Sequence, residues 1–145
     1  MLKGEFSNGM KLTVDILTPQ KKVYSGEADE VLIPTVNGEI GILPNHVALL
    51  TRILPGELQI KNGAKTDSIA IMGGYAEVNA NHVNVLGDYA IRAEDIEVAK
   101  AEQAKAKAEK MKTEKISQMD MAIIEADLRR SLLELKVAHR RKRSS

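Results

Sequence analysis

Short stretches of alternating hydrophobic and polar residues, each closed by turn residues, fill the first half of the chain. Residues 12–17 alternate strictly and stop at Thr18-Pro19, as expected for a strand with one buried face. Similar apolar runs follow, separated by proline, glycine or Asn-Gly turns: 31–33, 40–43, 47–54, 58–61, 68–72, 75–78 and 82–86. So many closely spaced strands predict an antiparallel sandwich or barrel. A parallel sheet is disfavoured, because no gap is long enough for a crossover helix.

The second half has the pattern of long exposed helices. All glycines and prolines lie before residue 88, and the remainder is rich in Ala, Glu, Lys and Arg, which favours helix. We predict one helix over 91–112 and a second over 117–141, with Ser117 as the N-cap of the second and Asp120 completing a capping box. Two helices joined so closely form an antiparallel hairpin.

The two predicted helices differ in the size of their apolar side chains. The first is lined mainly by alanine and the second by leucine and isoleucine: Ala101, Ala104, Ala108 and Met111, against Ile123, Ile124, Leu128, Leu132, Leu133 and Leu135. Replacing a buried Leu by Ala forfeits roughly 2 kcal/mol of burial, so an alanine-lined helix holds its partner weakly. We therefore expect a hairpin that can detach and occupy two states.

Composition excludes several classes of function. The 145 residues include no Trp, one Phe and three Tyr, too few aromatics for a base-stacking surface. The absence of cysteine excludes disulfides, thiol nucleophiles and cysteine metal sites, and together with a start that lacks a secretory signal it predicts a reducing, cytosolic compartment. No apolar run approaches the length of a membrane span.

The net charge of +1 hides an uneven distribution, with net −3 over residues 1–91 and net +4 over 92–145. The strongest local feature is the basic run 140–143. It could be a solvated helix end that complements the helix dipole, a nucleic-acid or membrane surface, or a contact for an acidic protein surface. The nucleic-acid and membrane interpretations lack the aromatic residues that such surfaces use.

Candidates for catalytic or metal chemistry are weak. His46, His82 and His139 have no metal-ligand spacing. Gly73-Gly74 precedes a strand-like segment, whereas a phosphate loop opens a helix, so a tight bend between strands is the favoured interpretation. No GxSxG, HExxH or Walker sequence is present. We expect no active site and no metal.

Residues 33–51, Ile-Pro-Thr-Val-Asn-Gly-Glu-Ile-Gly-Ile-Leu-Pro-Asn-His-Val-Ala-Leu-Leu-Thr, closely resemble the signature stretch of the epsilon subunit of the F-type ATP synthase. Further matches occur in the family's order and spacing at 24–26, 55–58, 73–78 and 85–90. The resemblance covers about residues 11–141. Thr35 departs from it, since the family often has Gly there, and Val47-Ala48 stand for its usual Ala-Pro.

The resemblance implies an N-terminal extension over 1–10, a β-sandwich domain over 11–88 and a C-terminal two-helix hairpin over 89–145. Such a protein is a non-catalytic rotor subunit that contacts the gamma subunit and the ring of c subunits. It couples proton-driven rotation to ATP synthesis, and it brakes ATP hydrolysis when its helices extend toward the catalytic alpha and beta subunits. The implied location is the cytoplasmic face of a bacterial inner membrane, rather than the stromal face of a thylakoid, with membrane association only through the complex.

The family's contact residues map onto individual positions here. Glu39 and His46 occupy the ring-facing positions, and we expect both on one exposed rim of the sandwich. The basic C-terminal helix, which would meet an acidic segment of the beta subunit, maps onto Arg129, Arg130, Lys136, Arg140 and Arg141.

Some bacterial relatives bind ATP on the folded hairpin through an Ile-Asp-x-x-Arg-Ala motif. Here the motif reads Ile-Glu-Val-Ala-Lys-Ala, with Glu97 and Lys100 at its charged positions. Arg130 is retained on the second helix, but Glu134 stands where those relatives have Arg. Because Lys lacks the planar fork of Arg, we expect weak or absent ATP binding at Glu97, Lys100 and Arg130, and no other cofactor.

Two other classes of function compete with this interpretation. The first is a free-standing scaffold domain with a coiled-coil or nucleic-acid-binding tail, which copurification with gamma would distinguish. The second is an enzyme, which fails for want of a nucleophile or metal set.

Overall fold

The computed structural model describes residues 10–113 and 117–144 and divides the chain into two compact units, Met1–Arg92 and Ala93–Ser145. Residues 1–9 of the expected N-terminal extension lie outside the described residues, as do residues 114–116 between the two helices.

The first unit is a β-sandwich. Its strands, within the described residues, are β1 Leu12–Leu17, β2 Lys22–Ala28, β3 Glu30–Thr35, β4 Gly38–Ile42, β5 His46–Ile53, β6 Gly56–Asn62, β7 Lys65–Ile71, β8 Gly74–Ala80, β9 His82–Gly87 and β10 Ala90–Arg92. The strands follow the order β10-β7-β6-β3-β5-β8-β9-β1-β2, with β4 paired to β3. The predicted mainly β unit is confirmed.

One strand pair differs from the expected antiparallel arrangement. Among the described strands, β1 and β9 pair in parallel, with Thr13 opposite His82 and Leu17 opposite Leu86. A crossover helix is needed only where consecutive strands pair in parallel. β1 and β9 are far apart in sequence, so the intervening strands make the connection and no helix is needed.

The core of the sandwich is aliphatic because inward positions alternate with outward ones along each strand. On β1, for example, Leu12, Val14 and Ile16 are fully buried while Thr13 is exposed. Isoleucine, valine and leucine from the other strands complete the core: Val31, Ile33, Ile42, Ile53, Leu58, Ile60, Ile69, Ile71, Val78, Val83 and Val85. An aliphatic core fits a chain that has very few aromatic residues.

Two strands, β2 and β10, were not predicted from the sequence. The burial of β2 is irregular, so it lacks a clean alternation, and β10 has only three residues. Because Ala90–Arg92 pairs with β7, the sandwich extends to residue 92, four residues past the predicted boundary at 88. The first helix correspondingly starts later than predicted.

Thr35 shapes the turn between β3 and β4. Its hydroxyl donates a hydrogen bond to the carbonyl oxygen of Gly38 at 2.6 Å and accepts one from the backbone N–H of Asn37 at 3.1 Å. Gly38 has a φ of 98°, which explains why Asn-Gly is favoured there. The departure from the family's usual Gly at position 35 thus adds hydrogen bonds to this turn.

The second unit contains a short 3-10 helix at Ala93–Asp95, then α1 Val98–Lys112 and α2 Gln118–Ser144. The predicted cap is confirmed, since the Ser117 hydroxyl accepts a hydrogen bond from the backbone N–H of Asp120 at 3.1 Å. The two helices form a hairpin, as predicted.

The seam of the hairpin agrees only in part with the predicted apolar faces. Ala101 and Ala108 on α1 and Ile124 on α2 are buried. However, Leu132 is 45% exposed and Ile123 is 57% exposed. Periodicity gave α2 a wider apolar stripe than a helix lined by small alanine side chains can cover.

Candidate functional site

The basic residues of α2 lie on two neighbouring stripes of the helix. Arg129, Lys136 and Arg140 are exposed, and their spacing of seven and four residues places them on one stripe. Arg130 and Arg141, eleven residues apart, form the next stripe. Arg130 also lies 3.7 Å from Asp127, measured between Nη2 and Oδ1. The arrangement presents cations along nearly four turns of one helix.

A cleft of about 340 Å³ lies between the C-terminal part of α1 and the N-terminal part of α2. Its walls are small or apolar side chains with a charged rim: Ala104, Lys107, Ala108, Met111, Asp120, Ile123, Ile124, Asp127 and Arg130. The cleft exists because alanine faces isoleucine across the seam. The hairpin is therefore incompletely packed, which agrees with the weak association expected from the sequence.

Of the three residues named as candidate ATP contacts, only Arg130 lines this cleft. Glu97 directly precedes α1, and its Oε2 lies 3.2 Å from Nζ of Lys100 one turn later. Arg130 lines the cleft, whereas neither Glu97 nor Lys100 does. The two charged residues of the motif, Glu97 and Lys100, thus form an ion pair with each other. Weak or absent ATP binding stays a prediction.

Glu39 lies near the start of β4, and His46 is the first residue of β5. Glu39 is exposed near the start of β4, beside Thr35, which pairs with Ile53 at the end of β5. His46 begins β5 opposite Ala80, and its Nδ1 lies 2.7 Å from the carbonyl oxygen of Val47. An eight-residue strand spans about 24 Å, and the expectation that Glu39 and His46 share one exposed rim stays a prediction. Sequence spacing alone did not reveal that β4 and β5 run in the same direction.

A row of side chains that sequence analysis missed crosses the outer face of five adjacent strands. Cross-strand register aligns Arg52 with Tyr75, Tyr75 with Leu86, Leu86 with Leu17 and Leu17 with Lys22. We call these five residues the outer row. Tyr75 and Leu86 are 55% and 59% exposed. Strand spacing gives the outer row a length of about 19 Å, with an apolar centre and a cation at each end.

A polar cluster lies beside the outer row on the same face. The Ser25 hydroxyl donates a hydrogen bond to Asp15 Oδ1 at 2.7 Å, and His82 Nε2 lies 3.0 Å from Asp15 Oδ2. The hydrogen bond from Ser25, and then that from His82, lowers the pKa of Asp15. Because the Ser25 hydroxyl donates to the Asp15 carboxylate and not to the His82 imidazole, this is not the arrangement of a catalytic triad, in which the histidine lies between the serine and the acid.

A second charged contact ties three turns of the sandwich together. Lys11 Nζ lies 2.6 Å from Asp29 Oδ1 and 2.8 Å from Asn62 Oδ1. The backbone N–H of Gly63 donates to Asp29 Oδ2 at 2.6 Å. The hydrogen bond from Lys11, followed by that from Gly63, lowers the pKa of Asp29. The contact fastens the start of β1 to the turn between β6 and β7.

Within residues 10–113 and 117–144, no three His, Asp or Glu side chains group as metal ligands. In the same part of the chain, neither α1 nor α2 is long and apolar enough to cross a membrane.

Comparison with known proteins supplies an independent result. Residues 11–93 match the family model described as ATP synthase, Delta/Epsilon chain, beta-sandwich domain. A protein of Dehalococcoides mccartyi strain BAV1 named ATP synthase epsilon chain is 42% identical over 134 residues, which cover 92% of this chain and 96% of the relative. A Chloroflexus aggregans protein with the same name is 43% identical over 130 residues, covering 89% of this chain and 93% of the relative.

Solved structures share the fold at lower sequence identity. A chain in the cryo-EM structure of the Euglena gracilis mitochondrial ATP synthase, OSCP/F1/c-ring in rotational state 1, superposes with a TM-score of 0.69 at 24% identity, covering 83% of this chain and 76% of that one. A chain in the Tetrahymena thermophila mitochondrial ATP synthase central stalk and c-ring gives a TM-score of 0.53 at 17% identity, covering 88% and 96%. Together with the matched family model and the near full-length relatives, the sequence and the fold identify this chain as a member of the ATP synthase delta/epsilon chain family.

Proposed function

We propose that the chain is a non-catalytic rotor subunit of an F-type ATP synthase, which couples rotation to ATP synthesis and restrains ATP hydrolysis. The observation that carries the proposal is the identity of 42–43% to proteins named ATP synthase epsilon chain over about nine tenths of the chain. As part of such a complex, the chain is peripheral to the membrane. By the resemblance of the signature stretch to the bacterial family, it lies on the cytoplasmic face of the inner membrane.

The outer row is the proposed docking surface for the gamma subunit. Leu17, Tyr75 and Leu86 form a continuous apolar strip, and such strips on a sheet face are typical of protein interfaces. The flanking cations Arg52 and Lys22 favour a partner with carboxylates on either side of an apolar segment. A free-standing scaffold domain would have no need of this surface.

Glu39 and His46 are the proposed contacts to the c-ring, but as two separate points rather than one patch. Glu39 lies near the start of β4 and His46 at the start of β5, so the two contacts are proposed independently of each other. Each residue should therefore be tested by itself.

The helical unit is the proposed brake on ATP hydrolysis. Its seam is lined by alanine on α1, so separating the two helices sacrifices less apolar burial than separating a leucine-lined pair would, although Ile124, Leu135 and Val137 on α2 are buried. The cationic stripes of α2 would then meet an acidic surface of the catalytic beta subunit. Exposed ion pairs contribute only about 0–1 kcal/mol each, so several cations must act together.

The test uses purified chain and an assembly of alpha, beta and gamma subunits. The full-length chain and a chain ending at Arg92 should both bind gamma, because the sandwich unit holds every strand and its own core. Only the full-length chain should lower the ATPase rate. Failure of the full-length chain to bind gamma would favour the scaffold alternative instead, and equal inhibition by both chains would contradict the role of the helices.

A further inference from the structure

The two end strands of the sheet order, β2 and β10, meet through side chains. The guanidinium carbon of Arg92, the last residue of β10, lies 5.5 Å from the ring centroid of Tyr24 on β2. Its Nη2 lies 3.8 Å from Oδ1 of Asp67 on β7. Arg92 therefore bridges an aromatic ring and a carboxylate, the two groups to which a planar guanidinium binds best.

The surroundings strengthen this contact relative to an ordinary surface pair. The side chains of Arg92 and Asp67 are only 29% and 18% exposed, so both charges are partly removed from water. The Tyr24 ring lies over Gly26, where an added Cβ would come within 2.9 Å of the Tyr24 hydroxyl. Burial, and then the nearby Asp67 carboxylate, raises the pKa of Tyr24, which keeps the ring neutral.

Arg92 lies where the sandwich unit ends and the helical unit begins along the chain. Arg92 is the last residue of the sandwich unit, and Ala93 is the first of the helical unit. β10 has three residues, which pair with β7 through Ala90, Ile91 and Arg92. So short a strand has few ladder hydrogen bonds and opens readily unless something else holds its end.

We propose that Arg92, Tyr24 and Asp67 form a latch that fixes where the helical unit begins, and that opening the latch frees β10 from β7. A freed β10 lengthens the connection between the units by three residues, or about 10 Å. The latch thereby limits how far the helices can extend from the end of the sandwich. This regulatory consequence rests on the proposed function, whereas the local holding of β10 does not.

The first test measures amide hydrogen exchange in the full-length chain. Arg92→Gln and Asp67→Asn should each speed exchange of the Ile91 amide by about 3- to 30-fold, the range expected for loss of a partly buried cation–π contact and ion pair. Amides of Val83 on β9 should keep their rates, because the opening is local. The two substitutions together should have less than the product of their separate effects.

Matched variants separate the latch from general destabilisation. Tyr24→Phe keeps the ring and should behave as the wild type. Tyr24→Leu should speed exchange less than Arg92→Gln, because the ion pair between Arg92 and Asp67 remains. Lys65→Gln removes the neighbouring cation, whose Nζ lies 3.9 Å from Asp67 Oδ2, and should leave the Ile91 amide unchanged. Unaltered exchange in Arg92→Gln, or equal acceleration of Val83 and Ile91, would overturn the latch.

The second test uses the assembled enzyme. If the latch limits reach, Arg92→Gln should make inhibition of ATP hydrolysis set in faster, by no more than the factor seen in exchange. Suppose that the Ile91 amide of Arg92→Gln exchanges faster while inhibition of ATP hydrolysis sets in at the wild-type rate, and that the chain ending at Arg92 fails to inhibit. This result would overturn the link between the latch and the reach of the helices. If the truncated chain inhibits as well as the full chain, the proposed brake has failed while the local holding of β10 by Arg92 stands.

Discussion

The cleft in the hairpin allows a direct test of the idea that weak packing lets the helices move. Ala104 lines the cleft on α1 and is half-buried. Ala104→Leu adds three carbons, which would stabilise the closed hairpin by about 2.4 kcal/mol if all were fully buried at about 0.8 kcal/mol each. Because the cleft is open on one side and ordering a Leu side chain costs about 0.5–1 kcal/mol, we expect a net gain of about 1 kcal/mol. The cleft volume of about 340 Å³ accommodates the added carbons.

The expected gain has two measurable results. A gain of about 1 kcal/mol is about a fivefold shift toward the closed hairpin, so amides in α1 should exchange about fivefold more slowly. In the assembled enzyme, inhibition of ATP hydrolysis should weaken, because helices held closed extend less often. The matched control is Ala106→Leu, which adds the same carbons at an exposed position of the same helix. Ala106→Leu should change neither the amide exchange rates in α1 nor the inhibition of ATP hydrolysis.

Specific outcomes would refute this reasoning. If Ala106→Leu slows exchange as much as Ala104→Leu, the gain comes from helix propensity rather than from the cleft. Stronger inhibition in Ala104→Leu would mean that the closed hairpin is itself the inhibiting state, which reverses the proposed direction of the brake.

Four further predictions address single features. Replacing four α2 cations by Ala (Arg129, Arg130, Arg140 and Arg141) should relieve inhibition of ATP hydrolysis at low salt. The matched control, in which four α1 lysines are replaced (Lys105, Lys107, Lys110 and Lys112), should not. Glu39→Ala and His46→Ala, made separately, should each weaken coupling of proton flow to synthesis yet shift the unfolding free energy by less than about 0.5 kcal/mol. Gly74→Ala should destabilise the sandwich by at least about 3 kcal/mol in urea unfolding, because φ is 135° and the new Cβ would overlap the Leu86 carbonyl oxygen. Gly38→Ala should lose less stability, because there is open space around Gly38. The pKa of Asp15 lies below its usual 3.8 when folded, so the stability that its carboxylate contributes is present above that value and is lost as pH falls through the folded pKa. Asp15→Asn should therefore be less stable than the wild type near about pH 6, and the difference should shrink as the pH is lowered below 3.8.

Strand positions were predictable where burial is one-sided and the turns are marked by Pro, Gly or Asn-Gly. β1 and β9 agree closely with the sequence pattern, and Ser117 caps α2 as expected. β2 could not be found in this way, because Tyr24-Ser25-Gly26 breaks the alternation at the point where Tyr24 lies over Gly26. β10 could not be found either, because a three-residue strand is held by its partner β7 rather than by its own pattern.

Functional surfaces were less predictable than elements, because they depend on strand register. Periodicity assigns Tyr75 and Leu86 to outward positions, but only pairing reveals that they stand side by side with Leu17. The same limit applies to Glu39 and His46. Seven residues of separation look short in sequence, whereas the direction of β4 relative to β5 decides which end of the sheet each residue occupies.

The two units differ in how much movement their packing allows. In the sandwich, most inward positions are filled by branched aliphatic side chains, and removing one typically costs about 2–5 kcal/mol, so the strands keep one arrangement. In the hairpin, buried positions of α1 are the alanines Ala101 and Ala108, which forfeit little when the helices part. A rearrangement of the helices can therefore occur at a free energy well below that of unfolding the sandwich. This difference is what a subunit needs if one part must transmit torque without yielding while another part changes state.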